Sequence, residues 1–193
     1  MFELLHEKLN AIISITHEEF EYCKTLFAPK RLRKKQFLLQ NGNVCKYQAF
    51  VEQGMLRSYT IDDKGAEHIM QFSPEGWWVA DLSSYITGET SPFNIEALED
   101  SQLLLLTKPS WDELMQKIPK FEHYIRIIIQ NHLIATQKRL MQSITETAEE
   151  KYLKFIEMYP QCLQRVPQHM MASYLGITKE SLSRLRKNIV SRG

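Results

Sequence analysis

Between Val166 and Lys187 two short stretches of helical periodicity are broken by Leu175-Gly176-Ile177-Thr178, and this break limits the available folds more than any other feature of the chain. Met171, Ala172 and Leu175 fall on one helical face, with Val166 leading in. Gly176 can take the left-handed conformation that ends a helix at little cost. Thr178 has the chemistry of an N-cap, with Ser181 three residues on. Glu180 lies in the first turn, where the helix dipole favours negative charge. Beyond it, Leu182, Leu185 and Ile189 mark a buried stripe. At about 100° per residue, the opposite side carries Glu180, Arg184 and Lys187, with Ser183 at its edge.

Two short helices around a glycine turn, the second with a basic outer face, have the layout of a helix-turn-helix that reads DNA in the major groove. Arg184 has the forked donor that suits guanine O6 and N7, and Glu180 can accept from cytosine N4. Lys187 is expected on phosphate. Arg186 falls nearer the apolar stripe and is expected on a phosphate or an acidic neighbour. Lys179 is lateral, at the exposed start of the helix. Periodicity alone fits an ordinary helical hairpin with a solvated charged face equally well. Charge distribution favours the DNA reading: from Gln164 onward there are six basic residues and one acid, against 18 basic and 22 acidic before it. A net charge of +1 therefore hides a basic end on an acidic body.

The 193 residues allow one large domain or a medium one with a small one, and 44% hydrophobic content supports folded cores. Cys23, Cys45 and Cys162 are far apart and odd in number. That pattern fits a reducing compartment and lacks zinc-finger or iron–sulfur spacing. No apolar run approaches ~20 residues, and the first residues lack a signal peptide's basic start and apolar core. A soluble, cytoplasmic protein is expected.

Residues 2–27 read as helical, with Leu5, Leu9, Ile12 and Ile13 on one face and a Thr16-x-x-Glu19 capping box opening a second helix. From Lys30 to Thr107 short β-like runs alternate with turns: 31–39, 47–52, 55–61 and 66–72, the last two joined through Asp62-Asp63-Lys64-Gly65. Runs 93–98 and 102–106 suggest a second hairpin around Glu99-Asp100. So many short strands predict a small barrel or jelly roll. Helical periodicity returns at Lys108. From about Lys120, Ile125, Ile128, Ile129, Leu133, Thr136, Leu140 and Ile144 recur at threes and fours, close to a coiled-coil seam. Packing against the chain's own domain and pairing in a dimer both fit this stripe. Thr145-Glu146-Thr147 reads as a hinge. A further helix with Tyr152, Leu153, Ile156 and Tyr159 ends at Pro160.

This order resembles the Crp–Fnr family of transcription regulators. The most specific stretch is Ala172-x-x-Leu175-Gly176-Ile177-Thr178-x-Glu180-Ser181-Leu182-Ser183-Arg184-Leu185, similar to the family's recognition motif. Gly54-Met55-Leu56-Arg57-x-Tyr59, Gly65-x-Glu67 and Phe72 resemble its β-roll. The resemblance implies an α+β fold with N-terminal helices and an antiparallel, jelly-roll-like β-roll. A long dimerisation helix and a C-terminal all-α, winged-helix-like helix-turn-helix would follow. It divides the chain into 1–119, a cyclic-nucleotide-binding-like effector domain; 120–146, the dimerisation helix and hinge; and 147–193, the DNA-binding domain. It implies a homodimer on a pseudo-palindromic promoter site, with RNA polymerase as a further partner and a small-molecule effector in the roll. Lys179, Glu180, Ser183 and Arg184 would be the base readers.

The pocket departs from the family pattern. Where cyclic-nucleotide binders carry Gly-Glu-Leu for the ribose and an arginine for the phosphate, this chain has Ala80-Asp81-Leu82 and then Ser91-Pro92-Phe93-Asn94. Asp81, Leu82, Ser91 and Asn94 are the candidate effector residues. No arginine lies between Arg57 and Arg126, and a buried cyclic phosphate without a charged partner is costly, so cyclic AMP is disfavoured. Trp77-Trp78 is expected in the core and lid. The N-terminal cysteine cluster of iron–sulfur sensors is missing, and the six histidines are scattered. No cofactor is predicted.

Three functions compete: a dimeric DNA-binding regulator; a small-molecule-binding roll whose C-terminal helices contact protein; and an enzyme on a cupin-like roll. A metal cupin needs clustered His and Glu ligands, and His68 has no neighbouring histidine in its run. No nucleophile–base pair or phosphate loop stands out either, so an enzyme is not expected.

Overall fold

In the computed structural model, which describes residues 1–192, the chain forms two compact units. One comprises residues 1–60 and 71–130, the other 61–70 and 131 onward.

The first unit opens with α1 (Glu3–Asn10) and α2 (His17–Leu26). Thr16 and Glu19 close the predicted capping box, each side chain accepting from the other's backbone N–H, at 3.2 and 2.7 Å. Eight strands follow: β1 (Ala28–Leu32), β2 (Phe37–Leu39), β3 (Tyr47–Gln53), β4 (Leu56–Ile61), β5 (Glu67–Ser73), β6 (Trp78–Val79), β7 (Asn94–Ala97) and β8 (Ser101–Thr107). They make two sheets, in the orders β1-β8-β3-β6 and β2-β7-β4-β5. Alternation along the strands fixes two cores. Ala49, Val51, Leu103 and Leu105 of the first sheet meet Leu56, Ile95 and Ala97 of the second inside the roll. Phe50, Leu104 and Leu106 point the other way, onto Leu5, Leu9, Phe121 and Tyr124 of the helices. Each such fully buried side chain contributes about 1.5–3 kcal/mol.

Two expectations are corrected here. The run 31–39 is two strands in different sheets, parted by a turn in which Lys35 is left-handed at φ 69°. The runs 93–98 and 102–106 do not pair as a hairpin: β7 lies beside β2 and β4, whereas β8 lies beside β1 and β3. Local turn chemistry reports that the chain reverses, not which sheet it enters. Trp78 is a core residue, tilted against Phe27, edge-on to Phe50 and Trp111, and its Nε1 donates to the Tyr124 hydroxyl at 3.2 Å.

After α3 (Leu82–Thr87) and α4 (Lys108–Lys117), α5 runs from Lys120 to Thr145 as one 26-residue helix. Its first residues, through Gln130, belong to the first unit, where Phe121, Tyr124 and Ile125 are buried.

The second unit holds the rest of α5, then α6 (Ala148–Met158), the four-residue α7 (Cys162–Arg165), α8 (Gln168–Leu175) and α9 (Lys179–Arg192). Thr147 caps α6, and Glu150 returns a bond to the Thr147 N–H at 2.8 Å. Ile69, Tyr152, Phe155, Tyr159, Cys162, Val166, Met171, Ala172, Leu175 and Leu182 are buried in this unit. Phe155, Tyr159 and Tyr174 form an aromatic trio with centroids 5.3–6.0 Å apart. Among the described residues, nothing after Thr145 forms a strand.

Candidate nucleic-acid interface

The turn between α8 and α9 is built as the sequence predicts. Gly176 sits at φ 69° and ψ 33°, its N–H returning to the carbonyls of Ala172 and Ser173, and Ile177 N–H reaches Ala172 O at 3.0 Å. These bonds satisfy the last carbonyls of α8. Two residues on, Thr178 Oγ1 accepts from Ser181 N–H at 3.1 Å and donates to Ser181 Oγ at 2.9 Å, so α9 starts from a fixed cap. Leu182 is fully buried and anchors the inner face.

The outer face follows from that anchor. Lys179, Glu180, Arg184 and Lys187 are exposed, Ser183 is half-buried at the edge, and Arg186 is half-buried toward the inner side. The chemistry on offer is a fork donor at Arg184, an acceptor at Glu180, a hydroxyl at Ser183 and two flanking ammonium groups, carried on one rigid helix.

A contact that the sequence does not announce braces α8. Ser173 Oγ accepts from Ile69 N–H at 3.0 Å and donates to Glu67 O at 2.7 Å, gripping the tip of the β4–β5 hairpin. Arg139 adds a bond to the Met70 carbonyl and lies 4.8 Å over the Tyr174 ring. A serine on a half-polar helix face gives no signal of such a partner, because the partner is backbone.

The candidate dimer residues divide. Ile125 is buried in the first unit's own core, and Ile128 packs at its margin. Ile129, Leu133 and Leu140 are exposed, at 46, 55 and 64%, and Ile144 continues the stripe at 77%. Thr136 lies exposed on the same stripe, its hydroxyl donating to His132 O at 2.8 Å.

The candidate effector residues are occupied by the fold. Asp81 is buried and caps α3, accepting from Ser84 N–H at 3.2 Å. Ser91 Oγ accepts from Phe93 N–H at 3.0 Å, and Asn94 Oδ1 accepts from Asn41 N–H at 3.0 Å. Leu82 is exposed. Residues 80–94 contain no lysine or arginine. A cavity in the roll of about 180 Å³, lined by Phe37–Gln40, Asn43–Tyr47 and Ile95, touches none of these four. This donor set does not fit a cyclic phosphate.

The second sheet does hold a buried cation that alternation alone does not reveal. Arg57 Nε and Nη2 donate to Glu96 Oε2 at 2.9 and 2.6 Å, and the guanidinium lies 4.0 Å over the Tyr59 ring. Its clue in the sequence is an arginine in a run whose neighbours are all strand-core residues.

Comparisons agree with this architecture. Residues 29–118 match the family model of the cyclic nucleotide-binding domain. The fumarate and nitrate reduction regulatory protein of Vibrio cholerae is 28% identical over 169 residues, covering 81% of this chain and 66% of its own length. Regulatory protein HlyX of Actinobacillus pleuropneumoniae is 26% identical over 180 residues, covering 88% and 74%. The chain thus spans about two thirds to three quarters of the length of these curated relatives. Among solved structures, FixK2 from Bradyrhizobium japonicum superposes with a TM-score of 0.75 at 19% identity over 86% of each chain. The catabolite activator protein of Thermus thermophilus gives 0.60 at 17%, covering 96% of this chain and 88% of that one. A β-roll followed by a long helix and a helix-turn-helix defines the class. The chain is similar in sequence and fold to regulators of the Crp–Fnr type.

Proposed function

We propose that the chain is a cytoplasmic, DNA-binding transcription regulator that acts as a homodimer on a pseudo-palindromic site. The observation that carries this reading is the outer face of α9. Arg184, Glu180 and Lys187 project from a helix whose cap, turn and buried anchor are all supplied by other residues. Lys179, Glu180, Ser183 and Arg184 read base edges; Arg186 and Lys187 bind phosphates.

Pairing follows from α5. The stripe Ile129, Leu133, Thr136, Leu140 and Ile144 exposes large apolar side chains at coiled-coil spacing, which a second copy would cover. No helix among the described residues is long and apolar enough to cross a membrane. Two paired chains would place their α9 helices roughly 34 Å apart, one helical turn of DNA. RNA polymerase is the expected protein partner of such a regulator. A small-molecule effector other than a cyclic nucleotide would act from the roll, and no enzymatic activity is part of this reading.

Selection of bound duplexes from a random pool should enrich a palindrome. On that site Arg184→Ala should cost about 1–3 kcal/mol and relax preference at one base pair per half-site. Equal loss on selected and random DNA would remove Arg184 from base reading. Leu133→Glu with Leu140→Glu should give monomers by sedimentation, and an unchanged dimer would locate the interface elsewhere.

A further inference from the structure

The cavity of about 180 Å³ lies where the chain leaves β2 of the second sheet and enters β3 of the first. Its walls come from β2, the loop after it, the start of β3 and Ile95. We propose that this cavity binds a small organic carboxylate with a compact apolar body, such as an aromatic ring or a short acyl chain. The proposal takes up the effector part of the reading above, and the DNA-binding part can fail without it.

Three features make the cavity a preformed site. Its loop wall is held from behind: Asn41 N–H donates to Asn94 Oδ1 at 3.0 Å, Gly42 N–H to Ser91 O at 2.8 Å and Cys45 N–H to Ser84 Oγ at 2.8 Å. Ser91 N–H returns a bond to Asn43 O at 2.9 Å, and Val44 forms an isolated antiparallel bridge with Thr90. A wall fixed in this way needs no ordering when a ligand arrives. Next, the pairing of β2 with β7 shifts register between Phe37 and Leu39, so Leu38 is the extra residue of a bulge, and it lines the cavity. Finally, two lining aromatics, Phe37 and Tyr47, are left 40 and 36% exposed, while Leu39, Cys45 and Ile95 are buried. A ligand seated on the buried side chains would cover the two rings.

Volume and charge define the ligand class. A cavity of about 150 Å³ accepts benzene, whereas drug-sized ligands occupy roughly 300–1,000 Å³. This cavity therefore suits one ring with a small substituent and is too small for a whole cyclic nucleotide. Lys46 is the one charged side chain among its lining residues. It is exposed, with no carboxylate in ion-pair distance among the described residues. Burial pushes the Cys45 thiol up, so it stays neutral, and its Sγ donates to Tyr47 O at 3.3 Å. Between Tyr22 and Val51 the chain carries seven cations and no carboxylate, a field that favours an anion. Lys46 would take one carboxylate oxygen, and the Gln40 and Asn43 amides can donate to the other.

The test uses the intact chain with benzoate as the probe, followed through backbone amide shifts. A ligand of about nine non-hydrogen atoms should bind saturably at about 1 mM. The amides of residues 38–47 and of Ile95 should move with it. Lys46→Gln should weaken benzoate about fivefold and leave the neutral isostere benzyl alcohol unchanged. Val44→Trp, which fills the space with an indole, should weaken both probes by about tenfold or more. The Lys46 comparison, made at an exposed position, stands even where the filled variant misfolds. No saturable shift, equal wild-type affinity for the two probes, or unchanged benzoate binding in Lys46→Gln would overturn the inference. Displacement of benzoate by cyclic AMP, or shifts centred on Asp81 and Leu82, would overturn it by placing the ligand elsewhere in the roll. Affinity for the selected duplex, measured on the same samples, tests the α9 reading separately.

Discussion

Polar side chains are used in opposite ways in the two units. In the roll, Asp81, Ser91 and Asn94 are buried, and each side-chain oxygen accepts a backbone N–H that holds a neighbouring loop or helix. Arg57 and Glu96 are likewise committed to each other. On α9 the arrangement is reversed: Thr178, Gly176 and Leu182 do the holding, and Lys179, Glu180, Arg184 and Lys187 are left facing outward. A site is better recognised by which groups the fold leaves free than by which groups resemble a ligand set. By that criterion the outer face of α9 is the stronger candidate, while Asp81, Ser91 and Asn94 are already engaged.

The sharpest way to break this contrast is Glu96→Ala. It strands the Arg57 guanidinium in a buried setting and should cost about 3–5 kcal/mol of stability, read by denaturant unfolding. Arg184→Ala should leave the same unfolding curve within about 0.5 kcal/mol. A mild Glu96→Ala phenotype would mean that the roll's charges are as free as those of α9.

Alkaline pH separates the units less strongly. Burial pushes the Cys23 thiol of the first unit up to about 12 and the Cys162 thiol of the second to about 11. Both favour the neutral thiol in the folded state. Their contribution is therefore complete below the unfolded value near 8.5 and is lost as pH rises through the folded values. Stability should fall from about pH 9 upward, and C23A/C162A should flatten that fall. A slope unchanged by the double variant would assign it to other groups. Native protein should also react slowly with a thiol reagent at pH 8, since all three cysteines are buried.

Thr178→Ala is the smallest test. Loss of the cap should destabilise the second unit by about 1 kcal/mol and weaken DNA binding by a similar amount through fraying of α9. A far larger loss of binding would give Thr178 a direct contact with DNA.

What the sequence makes legible here is local chemistry. The Thr16–Glu19 box, the Gly176 turn, the Thr178 cap and the extent of α5 all follow from residues within one or two turns of each other. Features set by distant partners stay hidden. The division of 31–39 between two sheets, the separation of β7 from β8, and the pairing of Arg57 with Glu96 each depend on where another segment lies. The outer face of α9 is readable because helical geometry alone decides it. The occupation of Asn94 is not, since its donor is the backbone N–H of Asn41, 53 residues away, which carries no side-chain signature.

The grip of Ser173 on the hairpin has a practical consequence for dissecting the protein. The second unit is discontinuous in sequence: residues 61–70 belong to it, although they are encoded in the middle of the roll. No single cut therefore releases it whole. A chain shortened to begin at Asn131 would lose the backbone partners of Ser173 and the carbonyl that Arg139 reaches. A chimera that carries a foreign roll would keep that brace only if its hairpin presents the same carbonyl and N–H to α8.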